Sequence, residues 1–348
     1  MQLLGRKAFV AASVTGLVLA ACGGTANNGS SGASGSASPV DLNIMVGGLN
    51  KQIYLPNMLA KQLGYFQAEN INITFIDEGS GQATEDEVVA GNVDAGSGAY
   101  NHTIQLQTKG KYIETICQFG IAPGEAEMLR ANEAGSVHGP ADLKGKNLGV
   151  TDIGSGTHTL TMALLGKAGV SASDAKYVAV GAGDTFIAAI KNKTIDAGMT
   201  TEPTITRLIQ TGDAKVLIDL RTPDSTRAAL GGDYPFIGMF ARNDWVDGHK
   251  DVAQRLVNVY VKTLKWMKAH TASEIADKMP ADYLLPSRDL YIAALQNQLS
   301  IFGTDCKMPA SGPQTVLTVL QNYVSSFGKS TTVDLSKTYT NDFANSAS

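Results

Sequence analysis

Charged side chains are scarce in this chain of 348 residues. They make up 17% of it, against the roughly 25% that is usual in soluble proteins. The 28 Lys and Arg residues do not outnumber the 32 Asp and Glu residues, and the formal net charge is -4. Without an excess of basic residues the chain lacks the field that attracts nucleic acid. The composition therefore argues against nucleic-acid binding, while 43% hydrophobic residues suffice for a sizeable core.

Catalytic and cofactor motifs are also missing. The Gly-x-Gly loops at Gly79, Gly154 and Gly181 lack the third glycine of a dinucleotide-binding fingerprint. The chain has no Gly-x-Ser-x-Gly elbow, and its five histidines show neither i, i+4 pairing nor a Cys-x-x-Cys neighbour. We therefore expect no enzyme activity, no cofactor and no metal.

No apolar run reaches the roughly 20 residues that a membrane-spanning helix needs. The apolar stretch Ala8–Ala20 follows the basic pair Arg6-Lys7, which predicts a signal peptide over residues 1–21. Its end, Leu19-Ala20-Ala21-Cys22, resembles the lipobox of bacterial lipoproteins, in which cleavage precedes the cysteine and a lipid is attached to its sulfur. We predict lipidation of Cys22; the alternative is an ordinary secreted protein with an accidental cysteine.

The segment after Cys22 has the composition of a tether. Residues 23–39 are small or polar and carry no charge, so they cannot bury surface, and a folded body is predicted to begin at Val40. This arrangement places the body in the cell envelope, on the outer face of the cytoplasmic membrane or in the periplasm. In that oxidising environment Cys117 and Cys306 either pair or remain two buried thiols.

The body contains an internal repeat. The segment Asn92–Gly96 recurs 102 positions later as Thr194–Gly198, both ending in Asp-Ala-Gly. Two further pairs of strands followed by Gly-rich loops lie about 105 positions apart. Each unit alternates strands with helices, a pattern that predicts a mostly parallel sheet covered on both faces. The fold class is therefore α/β, with two lobes of this kind.

Several motifs together resemble the solute-binding proteins of ABC importers. They are the lipobox, the run Tyr54–Phe66, the paired Asp-Ala-Gly motifs, the Gly154–His158 loop and Glu202-Pro203. The nearest resemblance is to the nitrate, sulfonate and taurine group, which shares its fold with thiamine-pyrimidine synthase-like proteins. The cysteine cluster of the synthase-like proteins has no counterpart here. The resemblance covers residues 40–330 and implies a monomeric type II periplasmic-binding-protein clamshell that serves an ABC permease and ATPase.

A clamshell of this type has two crossovers between its lobes. We place them near residues 120–129 and 233–242, because a short polar segment precedes each. Lobe 1 is then predicted to comprise residues 40–122 and 240–348, and lobe 2 residues 123–239.

Ligands of open α/β sheets bind outside the carboxyl ends of the strands, where the Gly-rich loops lie. The loop Gly154–His158 opens a helix whose first N–H groups lack internal acceptors, which favours an anion; the alternative is that Ser155 or Thr157 only caps the helix. The candidate ligand-binding residues are polar, small or aromatic: Asn50, Lys51, Gln52, Tyr54, Ser80, Gly81, Gln82, Ser97, Tyr100, Asn101, Ser155, Gly156, Thr157, His158, Thr185, Thr201, Glu202, Tyr234 and Phe236.

The charges near these loops are balanced. Lys51, His102 and His158 stand against Glu78, Asp184 and Glu202, a mixture that suits bare nitrate poorly. It suits a small organic anion or zwitterion, such as an aminosulfonate or a heteroaromatic acid, captured for import. We expect Glu202 to interact with the amino group of a ligand that has one. Two alternatives remain open: uptake of a neutral pyrimidine or related heterocycle, and a tethered sensor that presents its ligand to a receptor.

Overall fold

The structure is a computed structural model that describes residues 38–324 and 327–347. The predicted signal peptide, Cys22 and almost all of the predicted tether lie outside the described residues.

Ten strands form two five-stranded sheets. In chain order the strands are β1 (Val40–Val46), β2 (Ile71–Asp77), β3 (Ala95–Ala99), β4 (Ile113–Gln118), β5 (Glu125–Arg130), β6 (Asn147–Val150), β7 (Lys176–Ala179), β8 (Ala197–Thr201), β9 (Ala214–Leu220) and β10 (Ile237–Arg242). The first sheet has the order β2-β1-β3-β10-β4 and the second the order β7-β6-β8-β5-β9. In each sheet the first three strands are parallel, and the fourth is antiparallel to both neighbours.

Helices cover the sheets and continue after the last strand. They are α1 (Leu55–Gln62), α2 (Tyr65–Ala68), α3 (Gly81–Ala90), α4 (Asn101–Gln107), α5 (Gly156–Lys167), α6 (Asp184–Lys191), α7 (Thr204–Thr211), α8 (Pro223–Leu230), α9 (Asn243–Gly248), α10 (Lys250–Ala269), α11 (Ala272–Ala276), α12 (Arg288–Gln298), α13 (Gly312–Tyr323) and α14 (Asp342–Ser346). Within residues 38–324 and 327–347, no helix has both the length and the apolarity of a membrane span.

The repeat seen in the sequence corresponds to equivalent places in the two sheets. In the first sheet the carboxylate of Asp94 accepts a bond of 2.8 Å from the amide of Asn43. In the second, the carboxylate of Asp196 accepts one of 3.0 Å from the amide of Asn147. Each aspartate thus ties the start of the third strand to the first strand of its unit, at the middle of β1 and at the first residue of β6, which explains why the motif recurs.

The chain crosses between the sheets twice. It leaves the first sheet after β4 and enters the second as β5, and it returns after α8 as β10. The predicted lobe boundary at 239/240 falls inside β10, because that strand pairs with β3 from Ile237 onward. The strand that follows each crossover, β5 or β10, is the fourth strand of the sheet it joins and is antiparallel to both of its neighbours.

The C-terminal helices hold the two sheets together from one side. Helix α10 packs against α1, α2 and α14, which belong to the first sheet's side. Helix α12 packs against α7, and α13 packs against α5, so both also contact helices of the second sheet. Gly166 in α5 permits this approach, because a Cβ there would lie 3.0 Å from the Cβ of Tyr323.

The question of the two cysteines is answered by a disulfide. Cys117 in β4 is bonded to Cys306, and their Cα atoms lie 4.4 Å apart, within the range of disulfides. The amide of Gln118 also donates to the carbonyl of Cys306 at 2.8 Å. The bond therefore anchors the C-terminal segment beside the first crossover.

The glycine of each Asp-Ala-Gly motif lies where a side chain has no room. A Cβ on Gly96 would lie 2.8 Å from the ring of Phe240, and one on Gly198 would lie 2.5 Å from the backbone oxygen of Gly149. The second clash is the more severe, because a strand backbone cannot move aside as a side chain can.

We expect Gly198→Ala to destabilise the fold, because its methyl group would push β8 away from β6. Overpacking of this kind typically costs about 1–3 kcal/mol. Chemical unfolding followed by circular dichroism measures the loss. Gly135→Ala is the matched control, since a Cβ there meets nothing within 4 Å. Equal stability of the two variants would contradict this account of the repeat.

Candidate functional site

A small closed cavity lies between the carboxyl ends of the two sheets. Its volume is about 20 Å³, enough for about one water molecule. It is lined by Lys51, Ile53, Tyr54, Gly81, Ala99, His102, Glu125, Thr151, Ser155, Gly156, Thr157, Thr201, Phe236 and Ile237. Eight of the predicted residues are among them: Lys51, Tyr54, Gly81, Ser155, Gly156, Thr157, Thr201 and Phe236.

A larger recess of about 720 Å³ lies outside this cavity, and Lys51 lines both. Asn50, Thr185 and Glu202 of the predicted set line the recess. Eleven of the nineteen predicted residues thus line the inner cavity or the outer recess.

Direct contacts hold the two sheets' sides closed over the cavity. The amide of Gln52 donates to the carbonyl of Glu202 at 3.1 Å, and the hydroxyl of Ser80 donates to the carboxylate of Asp152 at 3.4 Å. A Cβ on Gly156 would lie 2.5 Å from the ring of Phe236. The structure therefore represents a closed conformation, with a helix start from one side pressed against the crossover.

Helix α5 begins at the cavity. The Ser155 hydroxyl caps it by accepting from the amide of His158 at 3.3 Å, and it also bonds to Thr157 Oγ1 at 2.7 Å. The amides of Gly156 and Thr157 are in the first turn, where a helix supplies no acceptor, and both residues line the cavity. Ser155 is therefore a cap, and the helix start it caps also faces the site.

His158 turns away from the cavity. Its Nδ1 accepts from the amide of Gly154 at 3.0 Å, and its ring lies edge-on against Tyr177 with centroids 4.5 Å apart. Burial lowers the pKa of His158, which favours the neutral ring. The imidazole therefore orders the loop before α5.

Lys51 brings a buried ammonium group to the site. Its Nζ donates to the carbonyl of Gly47 at 2.6 Å and to that of Gly79 at 3.2 Å. Burial lowers the pKa of Lys51 to about 8, although nearby Glu125 and Asp77 oppose the shift. Two backbone carbonyls thus occupy most of its donors.

Glu125 is a cavity residue that sequence reasoning missed. It is the first residue of β5 and is 3% exposed, and its Oε2 has no hydrogen-bond partner in the described part of the chain. Burial raises the pKa of Glu125 to about 8, with Lys51 opposing the shift and Glu127 adding to it. A signal was present in the sequence, because Glu125 and Glu127 alternate within a segment that has to cross between lobes.

His102 also lines the cavity, whereas its neighbour Asn101, which the sequence predicted to bind the ligand, does not. Its Nδ1 contacts the carboxylate of Glu85, and both side chains are almost completely buried. Its Nε2 faces the cavity wall at Gly81 and has no partner among the described residues. The sequence identified His102 as a nearby source of charge without assigning it to the site.

Other predicted residues are occupied elsewhere. Gln52 donates to the carbonyl of Tyr291 and accepts from Gln298; Ser80 caps α3; the Gln82 side chain lies against Gly154; Ser97 accepts from Asn57; the Tyr100 hydroxyl bonds to Thr338; and Asn101 donates to Gln105. Tyr234 differs from these: it is buried beside Phe236, with ring centroids 6.3 Å apart, and its hydroxyl has no partner among the described residues. None of these seven side chains lines the inner cavity.

Glu202 lines the outer recess, but its carboxylate is already paired. One oxygen accepts from Arg221 Nη1 at 2.8 Å, and the other accepts from the amide of Thr206 at 2.9 Å. Burial raises the pKa of Glu202, and the bonds from Thr206 and Arg221 oppose that shift. The predicted role of Glu202 as a partner of a ligand's amino group therefore competes with a complete set of internal partners.

Within residues 38–324 and 327–347, no three His, Cys, Asp or Glu side chains are grouped in a way that could hold a metal ion.

Comparison with known proteins identifies both a family and a fold. Residues 53–273 match the family described as NMT1/THI5 like. A protein from Bordetella bronchiseptica RB50 is 33% identical, covering 88% of this chain and 96% of its own, with a TM-score of 0.84. No curated protein matches the chain significantly in sequence.

More distant solved structures share the architecture. The alkanesulfonate-binding protein SsuA from Xanthomonas axonopodis pv. citri, bound to MOPS, has a TM-score of 0.63 at 18% identity over 84% of this chain and 93% of its own. The periplasmic nitrate-binding protein NrtA from Synechocystis PCC 6803 has a TM-score of 0.68 at 14% identity over 88% of each chain. These likenesses confirm the predicted fold class, a two-lobed α/β periplasmic-binding-protein fold.

Proposed function

Since the chain belongs to the NMT1/THI5-like family, we propose that it is an extracytoplasmic solute-binding protein that captures a small molecule between its lobes for an ABC importer. An ABC permease and its ATPase are the partners that this role requires. We propose no catalytic step, because the groups at the cavity bind and orient without forming a nucleophile–base pair.

One observation carries the proposal: both lobes contribute buried polar groups to one cavity, and two of those groups have no hydrogen-bond partner in the described part of the chain. They are Oε2 of Glu125 and Nε2 of His102. An unpaired buried polar group costs free energy that a ligand's hydrogen bonds recover. Such groups are expected at a site that completes its bonding with a ligand.

The chemistry of the wall favours a small organic anion or zwitterion. The start of α5 offers amide donors of Gly156 and Thr157, and the aromatic rings of Tyr54 and Phe236 supply flat apolar surface. Relatives of this fold are named as alkanesulfonate-binding and nitrate-binding proteins. Nitrate fits poorly here, because it carries no N–H or O–H group to donate to Glu125 or to Nε2 of His102. A sulfonate or carboxylate with a second, donating group fits better.

Two observations keep a neutral heterocycle as the second candidate ligand. Phe236 and Tyr54 can stack on a ring, and Glu125 and His102 can exchange hydrogen bonds with ring nitrogens and amino groups. A neutral ligand would not depend on the positive end of the α5 dipole.

Ser155→Asp separates these ligands. It places a carboxylate at the start of α5, where an anionic ligand group would lie, and the repulsion should cost about 1–3 kcal/mol. Binding of an acid should weaken by about 5- to 150-fold, while the helix keeps a good cap. A thermal-shift screen of sulfonates, carboxylates and pyrimidines measures it, since a ligand at 100 times its Kd adds about 2.7 kcal/mol of stability.

Thr271→Asp is the matched control, because Thr271 caps α11 in the same way away from the cavity. If Ser155→Asp binds the identified acid as tightly as the control does, the start of α5 is only a cap. Retained binding of a pyrimidine with lost binding of every acid would instead favour the heterocycle.

We also propose that the mature protein is anchored through lipid on Cys22 and tethered by residues 23–39. Cys22→Ser should abolish lipid attachment and move the protein from the membrane fraction to the soluble fraction, or leave it uncleaved. Mass spectrometry of the mature N-terminus measures this. Recovery of an unlipidated wild-type protein would reject the anchor and favour an ordinary secreted protein in which Cys22 is accidental.

A further inference from the structure

We propose that Glu125 and His102 form an acceptor pair that receives a basic nitrogen of the ligand, a protonated amine or amidine. This inference rests on the proposed solute-binding function and specifies the ligand class. It moves the amine-recognising role from Glu202, where the sequence suggested it, to the buried start of β5.

The carboxylate of Glu125 can accept a hydrogen bond, but no group among the described residues donates one to its Oε2. Its Oε2 is buried, lines the cavity and has no partner among the described residues. No salt bridge within 4.0 Å joins it to Lys51 or any other described cation, although Lys51 lines the same cavity. A buried carboxylate without a partner is strongly disfavoured. A ligand cation would supply the missing partner.

Lys51 does not pair with Glu125, because its ammonium group donates hydrogen bonds to backbone carbonyls instead. Two of its three N–H groups donate to the carbonyls of Gly47 and Gly79. Burial pushes the pKa of Lys51 down and that of Glu125 up, both to about 8, so below that pH the carboxyl of Glu125 holds its proton while Lys51 stays an ammonium. A charged nitrogen placed beside Glu125 would restore the ionised carboxylate.

His102 supplies the second acceptor. The carboxylate of Glu85 contacts its Nδ1, and we assign the ring the neutral tautomer with its proton on Nδ1, which leaves the lone pair of Nε2 for the cavity. That Nε2 is buried and unpartnered in the described part of the chain. Two acceptors that line the same cavity, one from each sheet's side, match a group that carries at least two N–H donors.

Glu202 is a poorer receiver for the same nitrogen. Both of its oxygens already accept bonds, from Arg221 and from the amide of Thr206. A ligand amine there would have to displace an arginine, whereas at Glu125 it would fill a vacant acceptor.

The test measures binding to panels of matched pairs in which one member has lost its basic nitrogen: taurine and ethanesulfonate, β-alanine and propionate, and acetamidine and acetamide, alongside simple pyrimidines. Wild-type protein should bind the nitrogen-bearing member of a pair at least about tenfold more tightly. Glu125→Gln should weaken that member about 30-fold or more, as loss of a buried charge partner does, and should leave the other member unchanged or slightly tighter.

Glu127→Gln is the matched control. Glu127 lies on the same strand two residues away and is equally buried, and burial likewise raises its pKa to about 8. It bonds to Thr161 and does not line the cavity. It should change stability as Glu125→Gln does without changing the preference within a pair.

Three results would overturn the inference. The first is equal binding of both members by the wild type, which needs no variant. The second is an unchanged preference in Glu125→Gln, and the third is the same loss in Glu127→Gln. Binding of acids or neutral pyrimidines without any basic compound would reject this inference while the solute-binding proposal stands. No binding by any compound of the panel would count against both.

Discussion

The two crossovers bond directly to each other, and the position of the site depends on that pairing. The amides of Phe119 and Gly120 donate to the carbonyl of Ile237 at 3.0 and 2.8 Å, and the amide of Phe236 donates back to the carbonyl of Gly120 at 2.9 Å. Because both crossovers leave their sheets near the carboxyl ends of the strands, this pairing keeps those ends facing one another. The disulfide at Cys117 and Cys306 fixes the C-terminal segment against the same place. The paired crossovers therefore serve as the hinge between the lobes and also set the position of the cavity.

The closed state contains a conflict between packing and charge. Closure presses Gly156 against Phe236 and brings α12 and α13 against helices of the second sheet, which buries apolar surface. It also shields Glu125 and Lys51 from water. That burial raises the pKa of Glu125 and lowers the pKa of Lys51, so it disfavours the charged form of each side chain. A ligand that bonds to these groups removes the electrostatic cost and keeps the apolar gain, so it favours closure. Binding and conformational change are coupled through the same few side chains.

Sequence patterns predicted the architecture well because they reflect backbone constraints. The repeated Asp-Ala-Gly has a fixed structural purpose, since Asp94 and Asp196 tie strand starts together and the glycines admit close neighbours. The same patterns did not predict which way the side chains at the strand ends point. Tyr100 and Lys51 both stand on loops at the carboxyl ends of strands, yet Tyr100 bonds to Thr338 far along the chain while Lys51 faces the cavity. Glu125 was missed because its alternation with Glu127 marks a strand but not its burial, which depends on both lobes.

Closure of the two lobes on a bound solute is the central claim, and X-ray scattering in solution measures it directly. The empty protein should sample open forms, because nothing then pairs with Glu125 in the closed cavity. Saturation with the ligand found by thermal shift should reduce the radius of gyration and reverse on dialysis. An identical scattering profile with and without saturating ligand would contradict the account and indicate a rigid pocket.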